Sequence, residues 1–232
     1  MIFRARTVVT MDGPPIDDGA VAVAEGRIME VGGYGEVRAS AGGEITDLGE
    51  VVLLPGLINA HCHLDFTALR GAIAPQKSFA DWIRKINAKR RELTEEDFLG
   101  SIAAGFTEAQ RWGTTTIANI ESLPQLLRRL PRSPLRTWWF LELIDVRTDA
   151  TAEELVATAM TLGKHAERLG LSPHAPYTAS PRLTQLAAAQ GVPLTMHLAE
   201  SRDEMEMFRD GQGHLFDLLQ SLGRPMDDCG KG

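Results

Sequence analysis

The strongest constraint in this 232-residue sequence is an alternation that begins at Pro55. From there, short apolar or β-branched runs of strand length take turns with longer amphipathic runs of helix length. Candidate strands fall at 57–61, 114–118, 135–144, 171–174 and 193–197, and candidate helices at 79–91, 94–111, 123–130, 151–169, 181–190, 203–209 and 214–222. Thr94 with Glu95, Glu96 and Asp97 behind it has the form of a helix start, as does Thr151 with Glu153 and Glu154. Parallel strands need long crossovers, so this order predicts an α/β fold with a parallel sheet. Five strands follow Pro55, where a closed (β/α)8 barrel uses eight strands and about 250 residues. The expected core is therefore an incomplete TIM-like barrel of about five β/α units, or an open sheet.

Residues 1–54 read differently. Strand candidates at 21–24, 26–31 and 50–54 are separated by Asp12-Gly13-Pro14-Pro15, Asp17-Asp18-Gly19, Glu25-Gly26 and Ala41-Gly42-Gly43, all turn formers. Pro55-Gly56 marks the crossing, which gives domains at 1–55 and 56–232. The formal charge of −7 disfavours nucleic acid as a partner, because phosphate binding needs a basic face. Two cysteines, Cys62 and Cys229, are too few for a disulfide framework and fit a reducing cytoplasm. No apolar leader follows Met1, and the most apolar run, 51–60, is short and broken by Pro55-Gly56, so the reading is soluble with no membrane partner.

Three segments carry chemistry. In Asn59-Ala60-His61-Cys62-His63-Leu64-Asp65, residues two apart on a strand share a face, so His61 and His63 converge while Cys62 points away. Two imidazoles at a strand end suit a divalent transition metal; the other reading is a pair of hydrogen-bonded surface histidines. In Met196-His197-Leu198-Ala199-Glu200, His197 ends an apolar strand and is a third candidate ligand. Glu200, three residues on, is a candidate to move protons between a water and a leaving amine. The pair reads equally as a core histidine followed by a helix-initiating acid. Ser172-Pro173-His174-Ala175-Pro176-Tyr177-Thr178 is a rigid loop at a strand end that presents His174 as a substrate contact or forms an ordinary structured turn.

The segment from Pro55 to Asp65 resembles the opening of the amidohydrolase superfamily, and the His174 and His197 motifs resemble its mononuclear deaminase and chlorohydrolase branch. That branch holds S-adenosylhomocysteine, guanine and aminofutalosine deaminases and triazine hydrolases. The resemblance runs from the first strands to about residue 210. It implies His61, His63 and His197 as ligands of one divalent metal, Zn2+ with Fe2+ as the alternative. It also implies Glu200 as the proton shuttle, His174 as a substrate contact and Trp82 as a lid-helix aromatic, for which a buried helix face is the other reading. The lysines fall on expected helices or loops, which favours one metal over two bridged by a modified lysine.

The resemblance further implies a histidine after a sixth strand and a metal-binding aspartate after an eighth, and nothing among His214, Asp217, Asp227 and Asp228 follows an apolar strand to fill those roles. The chain is therefore expected to be C-terminally shortened, with only part of a small β-sandwich at 1–55. The implied activity is hydrolytic deamination of a cyclic amidine or aminopurine-type small molecule by a cytoplasmic enzyme, with homodimers common among relatives. Displacement of chloride or an alkylamine from a triazine, or opening of an imidazolone ring, uses the same residues. A shortened barrel with no catalytic role is the alternative of another class.

Overall fold

The computed structural model describes residues 1–130, 132–146 and 148–231. The chain divides into two compact units, Met1–Leu57 and Ile58–Gly232. Among the described residues no helix is long and apolar enough to cross a membrane.

In the first unit, β1 (Ile2–Val8), β2 (Ile16–Ala24), β3 (Arg27–Gly33), β4 (Ile45–Asp47) and β5 (Val52–Leu53) form one sheet. Its order is β3-β2-β1-β4, with β5 also pairing β1. The β2–β3 hairpin closes through Glu25-Gly26 at φ 51° and 72°, the two-residue left-handed turn whose twist suits antiparallel strands. One expectation fails here, and one element is unforeseen. Asp17-Asp18-Gly19 is not a turn but part of β2, where Asp18 accepts from Arg4 Nε at 2.7 Å and Gly19 pairs with Ala5. A Cβ on Gly19 would lie 2.7 Å from Val8 Cγ2, so that glycine serves close packing. Helix α1 (Tyr34–Ala41), which the turn-rich reading passed over, buries Val37 with Ile2, Ala20 and Ala22.

In the second unit, β6 (Leu57–Cys62), β7 (Thr114–Glu121), β8 (Arg136–Leu143) and β9 (Leu169–Pro173) lie in sequence order in one sheet. The β7–β8 and β8–β9 pairs are parallel. Helices α2 (Phe79–Arg90) and α3 (Glu95–Arg111) follow β6, α4 (Ala152–Leu162) precedes β9, and α5 (Pro181–Ala188), α6 (Arg202–Asp210) and α7 (His214–Ser221) come after it. Alternation along the strands turns Ile117, Leu141 and Leu171 towards Ile102 and Phe106 of α3, Val156 of α4 and Leu183 of α5, forming the main core. A second cluster joins Ala80 of α2, Met207 of α6 and Leu215 of α7 around Tyr177.

The helix expected over 151–169 stops at Leu162 and yields to a short 3-10 turn, Gly163–His165. A Cβ on Gly163 would lie 2.6 Å from Leu169 Cδ2, so the glycine lets the first residue of β9 pack on the helix end. The strand expected at 193–197 is reduced to one bridge, Leu171 with Leu194. Backbone bonds still hold it beside β9: Leu171 N to Pro193 O at 3.0 Å, Thr195 N to Leu171 O at 3.1 Å and His197 N to His174 O at 2.8 Å. The short helix expected at 123–130 is a 3-10 turn, Pro124–Arg128.

Candidate metal centre

Each histidine owes its place to a strand end. β6 carries His61, and His63 follows it by one residue; Cys62 between them turns the other way and packs against the main core. The Leu64 N–H donates to Asn119 Oδ1 at 2.8 Å, which ties the chain after His63 to β7. His197 is set by its backbone bond to His174. The result is one ring cluster, with centroids 5.2 Å apart for His61 and His63, 4.6 Å for His61 and His197, and 5.6 Å for His63 and His197. Each of the three offers a nitrogen, and these atoms all lie within 4.8 Å of one another. His174 stands 5.1 Å from the His197 ring.

The electrostatics favour neutral rings. Burial, then the neighbouring rings of His61, His197 and His174, then Arg90, push the His63 pKa down to about 3. Burial and His197 take His174 down to about 4, and burial with His197 lowers His61. Neutral imidazoles are the form that binds a metal. His63 Nδ1 is buried without a hydrogen-bond partner. In tetrahedral zinc sites, Zn–N bonds of about 2.0–2.1 Å place ligand nitrogens about 3.4 Å apart, so these atoms, within 4.8 Å of one another, stand somewhat wider than in a filled site. The three-histidine donor set therefore fits a zinc-like divalent ion. Among the described residues, no carboxylate joins these histidines as a ligand group.

Beside the rings lies a cleft of 580 Å³, lined by His63, His174, His197, Glu142 and Glu200 on its polar side and by Phe66, Phe79, Trp82 and Phe98 among its apolar residues. Trp82 is half-buried and stacks on Phe79 at 5.6 Å and 11°, so it forms part of the cleft wall. His174 Nδ1 and Thr178 Oγ1 are 2.6 Å apart. Tyr177 donates its hydroxyl to Glu200 Oε2 at 2.6 Å, and burial together with Glu200 raises the phenol pKa.

Several participants escaped the sequence reading. Tyr177 stands inside a quoted motif, yet nothing in the motif reveals its partner. Glu204 receives the Ala199 and Glu200 amides at 3.3 and 2.7 Å, visible in sequence only as an acid in a helix's first turn. Asp65, fully buried, accepts from Ser122 Oγ at 2.6 Å and lies 3.5 Å from Arg90 Nη2, which lines the cleft. Burial and Asp65 push the Glu142 carboxyl up to about 7.

A family model described as the amidohydrolase family matches residues 52–227. The chain belongs to the amidohydrolase family. A 5-methylthioadenosine/S-adenosylhomocysteine deaminase of Nitratidesulfovibrio vulgaris is 34% identical over 219 residues, covering 88% of this chain and 49% of the relative. An aminodeoxyfutalosine deaminase of Deinococcus radiodurans is 32% identical over 89% of this chain and 50% of its own length. This amidohydrolase thus spans about half the length of the curated relatives it matches. Among solved structures, Helicobacter pylori aminofutalosine deaminase in complex with methylthio-coformycin superposes with a TM-score of 0.81 at 22% identity, over 95% of this chain and 56% of that one. An adenosine deaminase from Xanthomonas campestris with bound zinc gives 0.68 at 24% identity, over 96% and 54%. At these identities the two structures establish a shared fold.

Proposed function

We propose that this chain carries the metal-binding half of a hydrolase that deaminates cyclic amidines of the aminopurine type. The observation that supports it most is the convergence of His61, His63 and His197 next to Glu200 and an aromatic-walled cleft, in a chain similar to named nucleoside deaminases. In this reading residues 56–232 are about five β/α units of a TIM-like barrel, and residues 1–55 are part of a small β-sandwich.

His61, His63 and His197 hold one divalent metal, zinc before iron, in keeping with the zinc of the Xanthomonas campestris structure. When bound, the metal supplies Lewis-acid activation of water at neutral pH. Glu200 takes one proton from the water and gives it to the ring nitrogen as the C–O bond forms, then takes the proton of the new hydroxyl and gives it to the amine as the C–N bond breaks; ammonia leaves and the ring carbon keeps a carbonyl oxygen. Tyr177 holds Oε2 of Glu200, which leaves Oε1 for these transfers. Thr178 occupies one nitrogen of His174, and the other hydrogen-bonds the substrate ring. Trp82 and Phe79 give a flat ring a face to lie on.

Zinc uptake by calorimetry and ammonia release from S-adenosylhomocysteine test the reading. One zinc per chain is expected, with affinity lowered roughly 100-fold or more in His61→Ala, since losing even a group that only hydrogen-bonds a ligand costs about 10–100-fold. A well-folded wild type that takes up no zinc refutes it.

A further inference from the structure

The turn that carries Glu200 holds a backbone conformation its sequence does not favour. Ala199 lies at φ 55°, in the left-handed region where the Cβ of an L-residue crowds the following carbonyl. Among the described residues, the other non-glycine residues with positive φ are Met11, Asp18 and Glu25, all in the first unit. What secures Ala199 is a single carboxylate. Glu204 Oε1 accepts the Ala199 N–H at 3.3 Å, and Glu204 Oε2 accepts the Glu200 N–H at 2.7 Å. Glu204 is 2% exposed, although it stands in the first turn of α6, a position usually given to solvent-facing acids.

The local pattern departs from an ordinary capping box. Ser201 caps α6 by accepting the Glu204 N–H at 3.1 Å. In a capping box the residue at this place returns its side chain to the amide of the cap itself. Here the side chain passes over Ser201 and reaches the two residues before it. A carboxylate this buried persists because both oxygens are bonded. On the other side of the turn Tyr177, 1% exposed, fixes the Glu200 carboxylate. Glu200 is itself exposed, yet its backbone and its side chain are each gripped by a buried group.

We propose that Glu204 is a positioning residue: it locks the Ala199–Glu200 turn in its left-handed form and so aims the Glu200 carboxylate at the cleft and Tyr177. The proposal rests on the reading of Glu200 as the proton shuttle. Two oxygens are required, because glutamine at this place would turn an NH2 towards one of the two amide donors.

Hydrogen exchange of the Ala199 and Glu200 amides in the 15N-labelled chain tests the lock, with the Leu141 and Leu171 amides as internal reference. Glu204→Gln is expected to speed exchange at both turn amides tenfold or more while the reference amides stay within twofold. Glu204→Asp, which keeps the charge but is too short to reach both donors, is expected to do the same. Adding Ala199→Gly to Glu204→Gln is expected to recover threefold or more of the protection at Glu200, since glycine adopts positive φ without a Cβ clash. Unchanged exchange in both Glu204 variants, or no recovery by Ala199→Gly, overturns the proposal. In ammonia release, Glu204→Gln is expected to lower kcat tenfold or more with KM within threefold, and Ala199→Gly to restore part of kcat. A wild type that binds zinc but releases no ammonia counts against the proposed reaction, while the exchange rates still decide the role of Glu204.

Discussion

His63 is a poor base because its ring is buried among three others, and that has a measurable consequence for metal binding. With its pKa near 3, His63 takes up almost no proton between pH 6.5 and 5.0, where an ordinary imidazole gains about half a proton, and burial with His197 lowers His61 as well. Three ordinary imidazoles would cost a metal about 3.6 log units of apparent affinity over that interval. With His63 out of the competition, the apparent zinc affinity of this chain is expected to fall by less than about 2.4 log units there, as read by calorimetry against a competing chelator. A fall above 3 log units would contradict the burial argument. Cys62, its thiol pushed up to about 12 by burial and Asp65, faces the core and stays out of the ligand set. The histidines are legible in the sequence because each ends an apolar stretch and two share strand parity. Tyr177 and Glu204 are not, since one reaches Glu200 across 23 residues of chain and the other acts through a turn whose inversion no alanine announces.

At the scale of elements, α3 shows how packing overrides propensity. Its two interior glycines meet opposite surroundings. A Cβ on Gly100 would meet nothing within 4 Å, whereas on Gly105 it would lie 2.6 Å from Thr67 Oγ1 and 2.7 Å from Leu64 Cδ2. Gly100→Ala is therefore expected to stabilise the chain by about 0.5–1 kcal/mol, the usual helix gain. Gly105→Ala is expected to destabilise it by about 1–3 kcal/mol, because Leu64 is buried and cannot yield freely. Urea denaturation midpoints decide both, and equal effects would deny that α3 is pressed onto the segment following His63. The start of α3 is legible, because Thr94 and Asp97 form a complete capping box. The end of α4 is set where Gly163 caps it and Leu169 of the next strand packs against that glycine, short of the 169 that the amphipathic run suggests. At 193–197 strand character depends on a partner, and among the described residues it amounts to one bridge, Leu194 with Leu171 of β9. In the first unit, Asp17-Asp18-Gly19 carries turn chemistry that Arg4 and Val8 convert into strand.

For the whole molecule, stability against pH is set by two kinds of buried group in the second unit that pull in opposite directions. The carboxyls of Glu121, pushed up to about 8, and Glu142, pushed up to about 7, keep protons in the folded chain that an unfolded chain loses near 4.5. The stability this gives is complete below pH 4.5 and is lost as pH rises through the folded values. His63 and His174 do the reverse. The unfolded chain takes up their protons near 6.5 while the folded chain resists until about 3 and 4, so their stability is complete above 6.5 and drains away on acidification. Between pH 4.5 and 6.5 the two slopes oppose each other, one pair of protons against another. The metal-free chain should thus show a broad plateau of melting temperature over that window, falling towards pH 8 as the carboxyls ionise and towards pH 4 as the imidazoles charge. Scanning calorimetry in the presence of a chelator would show it, and a single sharp maximum above pH 8 would mean that Glu121, fully buried, and Glu142, half-buried in the cleft wall, do not keep their protons in the folded chain. Zinc held at the proposed site is expected to lift the melting temperature by an amount set by free zinc over its dissociation constant, and so by less at acid pH, where protons weaken metal binding to histidines.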